Sequence, residues 1–442
     1  MELRDLIVTP IIIFLVYAGA YWIRPRVTDS VNRKYFIPAL TVRIIGALAL
    51  GFLYQFYYGG GDTFSYHTHG SRPLWEALIE TPSIGIKSFF YHGTYSDGLW
   101  DIAKKIWYWR DSSSFFVIQI AAFFDLITFS TYSATGVLFS VLAFTGAWML
   151  YLVFYISHPK SSRILAYCCL FIPSVIFWGS GILKDTITLA FVGISTYCVF
   201  RTIIDRKISI LYLLLFIISF YVIFSIKKYI LISLIGGIIV WLSSNYLLKI
   251  RSIVSRLLLI PAITVLCIVL SYFVISRVMG DSRYSLDRLA KTSMITANDI
   301  RYGWGARTGD GSGYTLGELD GSWESMIGMA PAAINVALFR PYLWEIKNPL
   351  MALYAIEAFL TMCFTIYVLI AVRDNIFKYL KAEVIFCFVF VLIFAAGVGI
   401  STYNFGTLSR YKIPLLPFYW SMLAIIYSSW RSDKKFMRSG VD

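Results

Sequence analysis

The sequence predicts an all-α polytopic membrane protein with about eleven transmembrane helices and two long extracytoplasmic loops. Of its 442 residues, 58% are hydrophobic and only 14% charged, a balance that makes lipid the main solvent. Apolar runs recur at 6–23, 36–57, 137–156, 208–226, 229–247, 257–275, 349–372, 383–400 and 413–430. Each is near the ~20 residues that cross a hydrocarbon core. Finally, short connections of one phase hold 19 of the 39 Lys and Arg, those of the other phase only five. The positive-inside rule then puts the N-terminus outside and the C-terminus inside.

Taken in order, the run 6–23 lacks a basic leader and an A-x-A-like site, so it is expected to stay as a helix and not to be cleaved. After 36–57 comes the first outer loop, 58–136, where LWDIAKKIWYWR interleaves aromatic and basic residues as a surface-lying helix does. Within it, 115–129 (FFVIQIAAFFDLITF) reads as an interfacial or re-entrant helix, because it is short and contains Asp125. Counting it as a twelfth span would reverse the N-terminal side and leave the later topology unchanged. The runs 164–179 and 186–200 are too short for a full crossing, so the turn between them is expected to sit below the outer surface. The second outer loop, 276–348, is glycine-rich, and its seven glycines between Gly303 and Gly321 predict a mobile segment that orders on substrate. It ends in APAAINVALFRPYLWEIKNP, a semi-apolar piece expected to lie on the outer surface. The whole chain, 1–442, forms one membrane domain with no visible repeat.

The net charge of +14 follows from this topology and does not call for nucleic acid. All six cysteines lie within apolar runs and read as small core residues.

The charged residues at the outer turns are the candidates for chemistry. WGSGILKD (Trp178 to Asp185) places Gly179, Ser180 and Gly181 ahead of a helix whose first turn holds Lys184. A glycine turn feeding a helix N-terminus is an anion site, with Lys184 deepening its potential and Asp185 holding the lysine. The alternative is a snorkelling lysine, with Asp185 pairing with it or capping the helix. Lys227 and Lys228 occupy the next outer turn, and Arg410 and Lys412 the last. In YYGGGDTFSYHTH, Gly59 to Gly61 let the backbone bend and present Asp62 beside Tyr66. Asp62 there is either a proton acceptor for a hydroxyl or a cap on the following turn. His67 and His69 form an H-x-H too isolated to predict a metal, and none is expected. Arg340 offers a planar fork to a diphosphate or a partner to Glu345.

Together, G-x-D-x-x-x-Y (Gly61, Asp62, Tyr66), P-S-x-x-F-W-x-S-G-x-x-K-D (Pro173 to Asp185) and N-F-G-x-x-x-R-x-K-x-x-x-L-P (Asn404 to Pro417) resemble motifs of bacterial Wzy-type O-antigen and exopolysaccharide polymerases. These are related to the GT-C glycosyltransferases. The resemblance implies an enzyme of the bacterial inner membrane, with its active site facing outward, that joins glycan units carried on a polyprenyl diphosphate. It needs no cofactor, and its partners are the lipid-linked glycan, the bilayer and other polysaccharide assembly proteins. Asp62 is then the catalytic base, supported by Gly61 and Tyr66. Lys184, Lys227, Lys228, Arg340, Arg410 and Lys412 contact the diphosphate, with Gly179, Ser180, Gly181 and Asp185 shaping the turn. Lys412 departs from the pattern, since many relatives have a second arginine there. The competing functions are a GT-C transferase adding one sugar from a polyprenyl-phosphate donor and a lipid-linked glycan flippase or transporter.

Overall fold

The computed structural model describes residues 2–93, 95, 98–247, 313–317 and 323–438, with isolated positions between 258 and 295. The expected span 257–275, and with it most of the glycine-rich loop, lies outside the described residues. Every named element is helical, and among the described residues an isolated bridge, Gly313 with Asn404, is the sole β pairing. The chain divides into two compact units, Met1–Ser157 with Cys169–Lys228, and His158–Cys168 with Tyr229–Asp442.

In chain order the helices are α1 (Leu3–Val27), α2 (Arg33–Phe52), α3 (Asp62–Tyr66), α4 (Arg72–Glu80), α5 (Pro82–Phe90), α6 (Trp100–Lys105), α7 (Ser112–Thr128), α8 (Tyr132–Ser157) and α9 (Ser162–Leu170). There follow α10 (Pro173–Trp178), α11 (Lys184–Val199), α12 (Ile210–Ile226), α13 (Lys228–Leu247), α14 (Trp323–Phe339), α15 (Pro349–Val372), α16 (Ala382–Thr402), α17 (Phe405–Tyr411) and α18 (Leu416–Arg438).

Among the described residues, six helical segments are long and apolar enough to cross a membrane: Leu3–Val27, Arg33–Tyr57, Tyr132–Ser157, Lys184–Ile204, Pro349–Val372 and Ala382–Thr402. Four further apolar helices are shorter, within Ser112–Thr128, Ile210–Ile226, Lys228–Ser244 and Glu324–Phe339. The expected count of about eleven is thus met only in part. One of the runs behind it, 164–179, is two helices of nine and six residues, α9 and α10. Pro173 explains the break, because the residue before a proline is pushed out of the helical region and Ile172 is extended.

Several starts are written in the sequence. Asp111, Ser209, Asn348 and Asn404 each accept a backbone N–H of the following helix, which removes an unpaired donor at its first turn. In the first unit α8 and α11 pack at backbone distance, because Gly193 has no Cβ to strike the Gly146 carbonyl. In the second, Gly399 of α16 lets the Ala333 backbone of α14 approach in the same way. There Phe386, Phe390 and Phe418 pack together, and Trp241 stacks on Phe386 at 4.6 Å between ring centroids. The outer faces of α1 and α12 are bare apolar surface, with Leu6, Ile11 and Phe14 exposed on one and Leu211, Leu214 and Ile218 on the other. Such faces suit lipid contact.

Candidate functional site

In the first unit, the segment after α2 makes a wide π-type turn over Leu53–Tyr57 and closes with Gly60 N–H donating to the Tyr54 carbonyl at 2.9 Å. Gly59, Gly60 and Gly61 have φ of +65°, +143° and +114°, a region that residues with a Cβ rarely enter. A Cβ on Gly61 would also stand 2.9 Å from the Tyr54 ring. The three glycines therefore set the bend that places Asp62 at the start of α3, half-buried. Tyr66 lies one turn further on and is buried, its ring 5.4 Å from that of Tyr108. Thr63 shares a 2.8 Å hydrogen bond with the Tyr132 hydroxyl.

The turn of WGSGILKD is buried in the protein, and Arg43 is what holds it. Arg43 of α2 lies ten residues into the span that starts at Arg33, about 15 Å along its axis at 1.5 Å per residue. Its Nη1 donates to the carbonyls of Val175 at 2.8 Å and Gly179 at 2.9 Å. A fully buried guanidinium thus caps the last carbonyls of α10, where the helix dipole favours positive charge. Glycine is needed here for packing. A Cβ on Gly179 would meet the Val175 carbonyl and Arg43 Nη1, and one on Gly181 would meet Leu50. The Gly179 N–H is taken by the Val175 carbonyl at 3.1 Å, and the Ser180 hydroxyl donates to the Ile176 carbonyl at 2.5 Å. The glycines therefore admit Arg43 and Leu50, and the Gly179 amide, expected from the sequence to face a ligand, is taken within the protein.

The Lys-Asp pair is resolved differently from the sequence reading. Asp185 does not hold Lys184; its partner is Lys227, and the two form a buried ion pair. Adjacent residues on a helix point apart, which is why α11 sends them to different neighbours. Lys184 Nζ donates to Ser113 Oγ at 2.7 Å and lies 3.3 Å from Asp111 Oδ2, with side chains 20% and 50% exposed for Lys184 and Asp111. Partial burial raises the Asp111 pKa, but Lys184 and the hydroxyls of Ser114 and Ser113 outweigh it and hold the carboxyl below its ordinary range. Lys228 lies over the Phe224 ring at 5.3 Å. Thr63, beside Asp62, lines a cavity of about 10 Å³ together with Gly181, Ile182, Gly51 and Tyr132. Thr63, the residue after Asp62, and Gly181 and Ile182 of the buried turn therefore border one space the size of a single water.

In the second unit, Arg340 is paired with Glu345, its Nε 3.1 and 3.0 Å from the two carboxylate oxygens. The guanidinium also lies over the rings of Tyr314, Tyr342 and Phe405 at 5.6, 5.7 and 5.2 Å. Of the two readings open for Arg340, the structure displays the Glu345 pair. Asn404 caps α17 by accepting from Gly406 and Thr407, which fixes the turn ahead of Arg410. Arg410 is half-buried at the end of that helix. Lys412 is buried and donates to the Arg340 carbonyl at 3.3 Å.

Burial pulls the Lys412 ammonium down to about 8 against a nearby Glu357, from an ordinary 10.5. Below pH 8 the group is charged folded and unfolded, and folding bears the full desolvation. Between 8 and 10.5 only the unfolded chain holds the proton, so stability should rise with pH by about 3 kcal/mol across that window. In Lys412→Met that rise is expected to vanish, as melting curves from pH 7 to 10.5 would show. An unchanged slope would mean that the ammonium is not desolvated.

Compared with protein-family models, curated proteins and solved structures, the chain matches none. Its residues alone must carry the reading. Three groups escaped the sequence analysis. Arg43 carried a signal, since a lone arginine inside an apolar run is a functional candidate in its own right. Asp111 carried none beyond an N-cap pattern. The third is a fully buried cluster in which Asp125 accepts from Ser71 and Thr135, both at 2.6 Å, and lies 3.5 Å from His67 Nε2. It ties α7 to the π-type turn His67–Ser71, so the Asp125 side chain belongs to the protein interior.

Proposed function

We propose that the protein is a membrane-embedded glycosyltransferase of the polymerising kind, joining glycan units carried on a polyprenyl diphosphate. What carries the reading is that, within the first unit, Thr63 beside Asp62 and Gly181 and Ile182 of the buried turn that leads into Lys184 line the same small cavity. Glycosyl transfer from a lipid diphosphate needs a base near the attacking hydroxyl and fixed positive charge where the leaving diphosphate gathers its negative charge. Asp62 is the base in this reading, and Lys184 is the first cation to meet the diphosphate. The partly exposed Asp111 is its partner when no donor is present, and a diphosphate brings more negative charge to the same ammonium than one carboxylate does. Lys227, committed to Asp185, sets the shape of the turn.

The test is a purified enzyme given a polyprenyl-diphosphate-linked oligosaccharide, with products sized on a gel. A ladder supports polymerisation, a single added unit supports the simpler transferase, and no glycosidic product removes the enzymatic reading. Lys184→Ala should lower donor affinity and turnover together by about tenfold to a hundredfold, the worth of a charge-assisted hydrogen bond. Lys184→Arg should keep part of both. A lysine that serves only to anchor α7 predicts a lower melting temperature with donor affinity unchanged.

One observation favours the transporter alternative. Arg43 puts an ionisable group at mid-span, where substrate pathways are commonly marked. Its guanidinium is fixed on two carbonyls, however, which suits support of the turn better than passage of a ligand.

A further inference from the structure

The second unit holds a larger cleft, about 510 Å³, whose walls are the start of α9 with the 3-10 turn before it and one face of α18. From α18 come Tyr427, Arg431 and Lys435, four residues apart and so on one stripe of the helix. From the opposite wall come Lys160 and Arg163. Four cations thus face a shared space, and no lining residue is acidic. Asp433, the nearest acid along α18, is held by Lys378 at 2.7 Å. Among the described residues none of the four cations has an ion-pair partner. Like charges gathered this way repel, and the arrangement is stabilised when an anion enters.

The hydroxyls of Ser161, Ser428 and Ser432 also line the cleft and can donate to an acceptor oxygen. Clustered cations with short hydroxyl donors match a phosphate better than a carboxylate, since a phosphate presents more oxygens and accepts from several directions. The same walls carry Ile164 and the half-exposed Tyr167, so apolar surface adjoins the charged floor. The space is of the size that holds a headgroup or other small ligand.

We propose that this cleft binds a phosphate group, carried there by an anionic phospholipid. The charged floor takes the phosphodiester, and Ile164 and Tyr167 meet the glycerol and first methylenes. By charge count the segments 157–163 and 431–442, which supply Lys160, Arg163, Arg431 and Lys435, belong to the basic, cytoplasmic side, where anionic headgroups attract such clusters. The inference does not rest on the glycosyltransferase reading and concerns a different set of residues.

Titration of the purified full chain with lipids, followed by native mass spectrometry, tests it. Phosphatidylglycerol should bind at least about tenfold more tightly than phosphatidylcholine, and Arg163→Gln with Arg431→Gln should lower that affinity by about tenfold or more. The melting temperature in phosphatidylcholine should stay as in the parent. If that variant does not fold, Lys160→Gln with Lys435→Gln, two exposed positions, gives the same reading. Inorganic phosphate at millimolar concentration is expected not to displace phosphatidylglycerol. Displacement would assign the cleft to a soluble phosphate and overturn the lipid source. Equal affinity of the parent and both variants for phosphatidylglycerol would overturn the site itself.

Discussion

Asp62→Asn is expected to fold as the parent does and to lose turnover by about 100-fold or more, the usual worth of a positioned proton acceptor. Asn keeps the size and shape of Asp and remains a good residue at a helix start, so the glycine bend and α3 should be kept. What it lacks is a carboxylate able to take a proton. Asp62 stands half-buried beyond three glycines with positive φ, a conformation that few residues besides glycine can supply. A turn that existed only to end α2 would not need all three. Turnover of the lipid-linked oligosaccharide and the melting temperature should be measured on one preparation. Near-normal polymer from the Asn variant would take Asp62 out of the mechanism and strengthen the transporter reading. A large drop in melting temperature would instead show that the carboxylate serves the fold.

Helix identity was legible because apolar run length and period are local. The length of the second flanking run was not legible: 186–200 looks too short to cross, yet the helical segment runs from Lys184 to Ile204 and is long enough, because Lys184, Asp185 and the π-type turn after Val199 extend it past the apolar stretch. The partners were not legible. Lys184 finds Asp111 and Ser113 more than 70 positions away, and Arg43 finds Gly179 at a separation of 136. Such pairings are set by which helices pack together, which no local pattern states. Asp185 shows the limit most plainly. Beside Lys184 in sequence it reads as that lysine's partner, yet on α11 the two side chains diverge and Asp185 meets the lysine that ends α12. The break in 164–179 was readable from Pro173 alone, and hydropathy hid it because both pieces are equally apolar.

That buried pair is where the largest effect on stability is expected. Asp185 is fully buried and Lys227 nearly so, and an ion of either sign left alone in such surroundings loses its hydration without compensation. Lys227→Met or Asp185→Asn alone should cost about 3–5 kcal/mol, because each breaks the pair and leaves a buried polar group behind. The combined Lys227→Met and Asp185→Leu should recover most of that loss, since two apolar side chains need no mutual charge. A double-mutant cycle read by thermal melting gives the coupling directly. Single variants that melt with the parent would show that the two side chains do not depend on each other. The restored double variant then decides what the pair is for. If Lys227 only shapes the turn between α12 and α13, the double variant should bind a diphosphate-lipid analogue as the parent does. If Lys227 leaves Asp185 to meet the donor, it should be stable and yet bind weakly. Stability and affinity would then part company in a single protein, which no loss of folding can imitate.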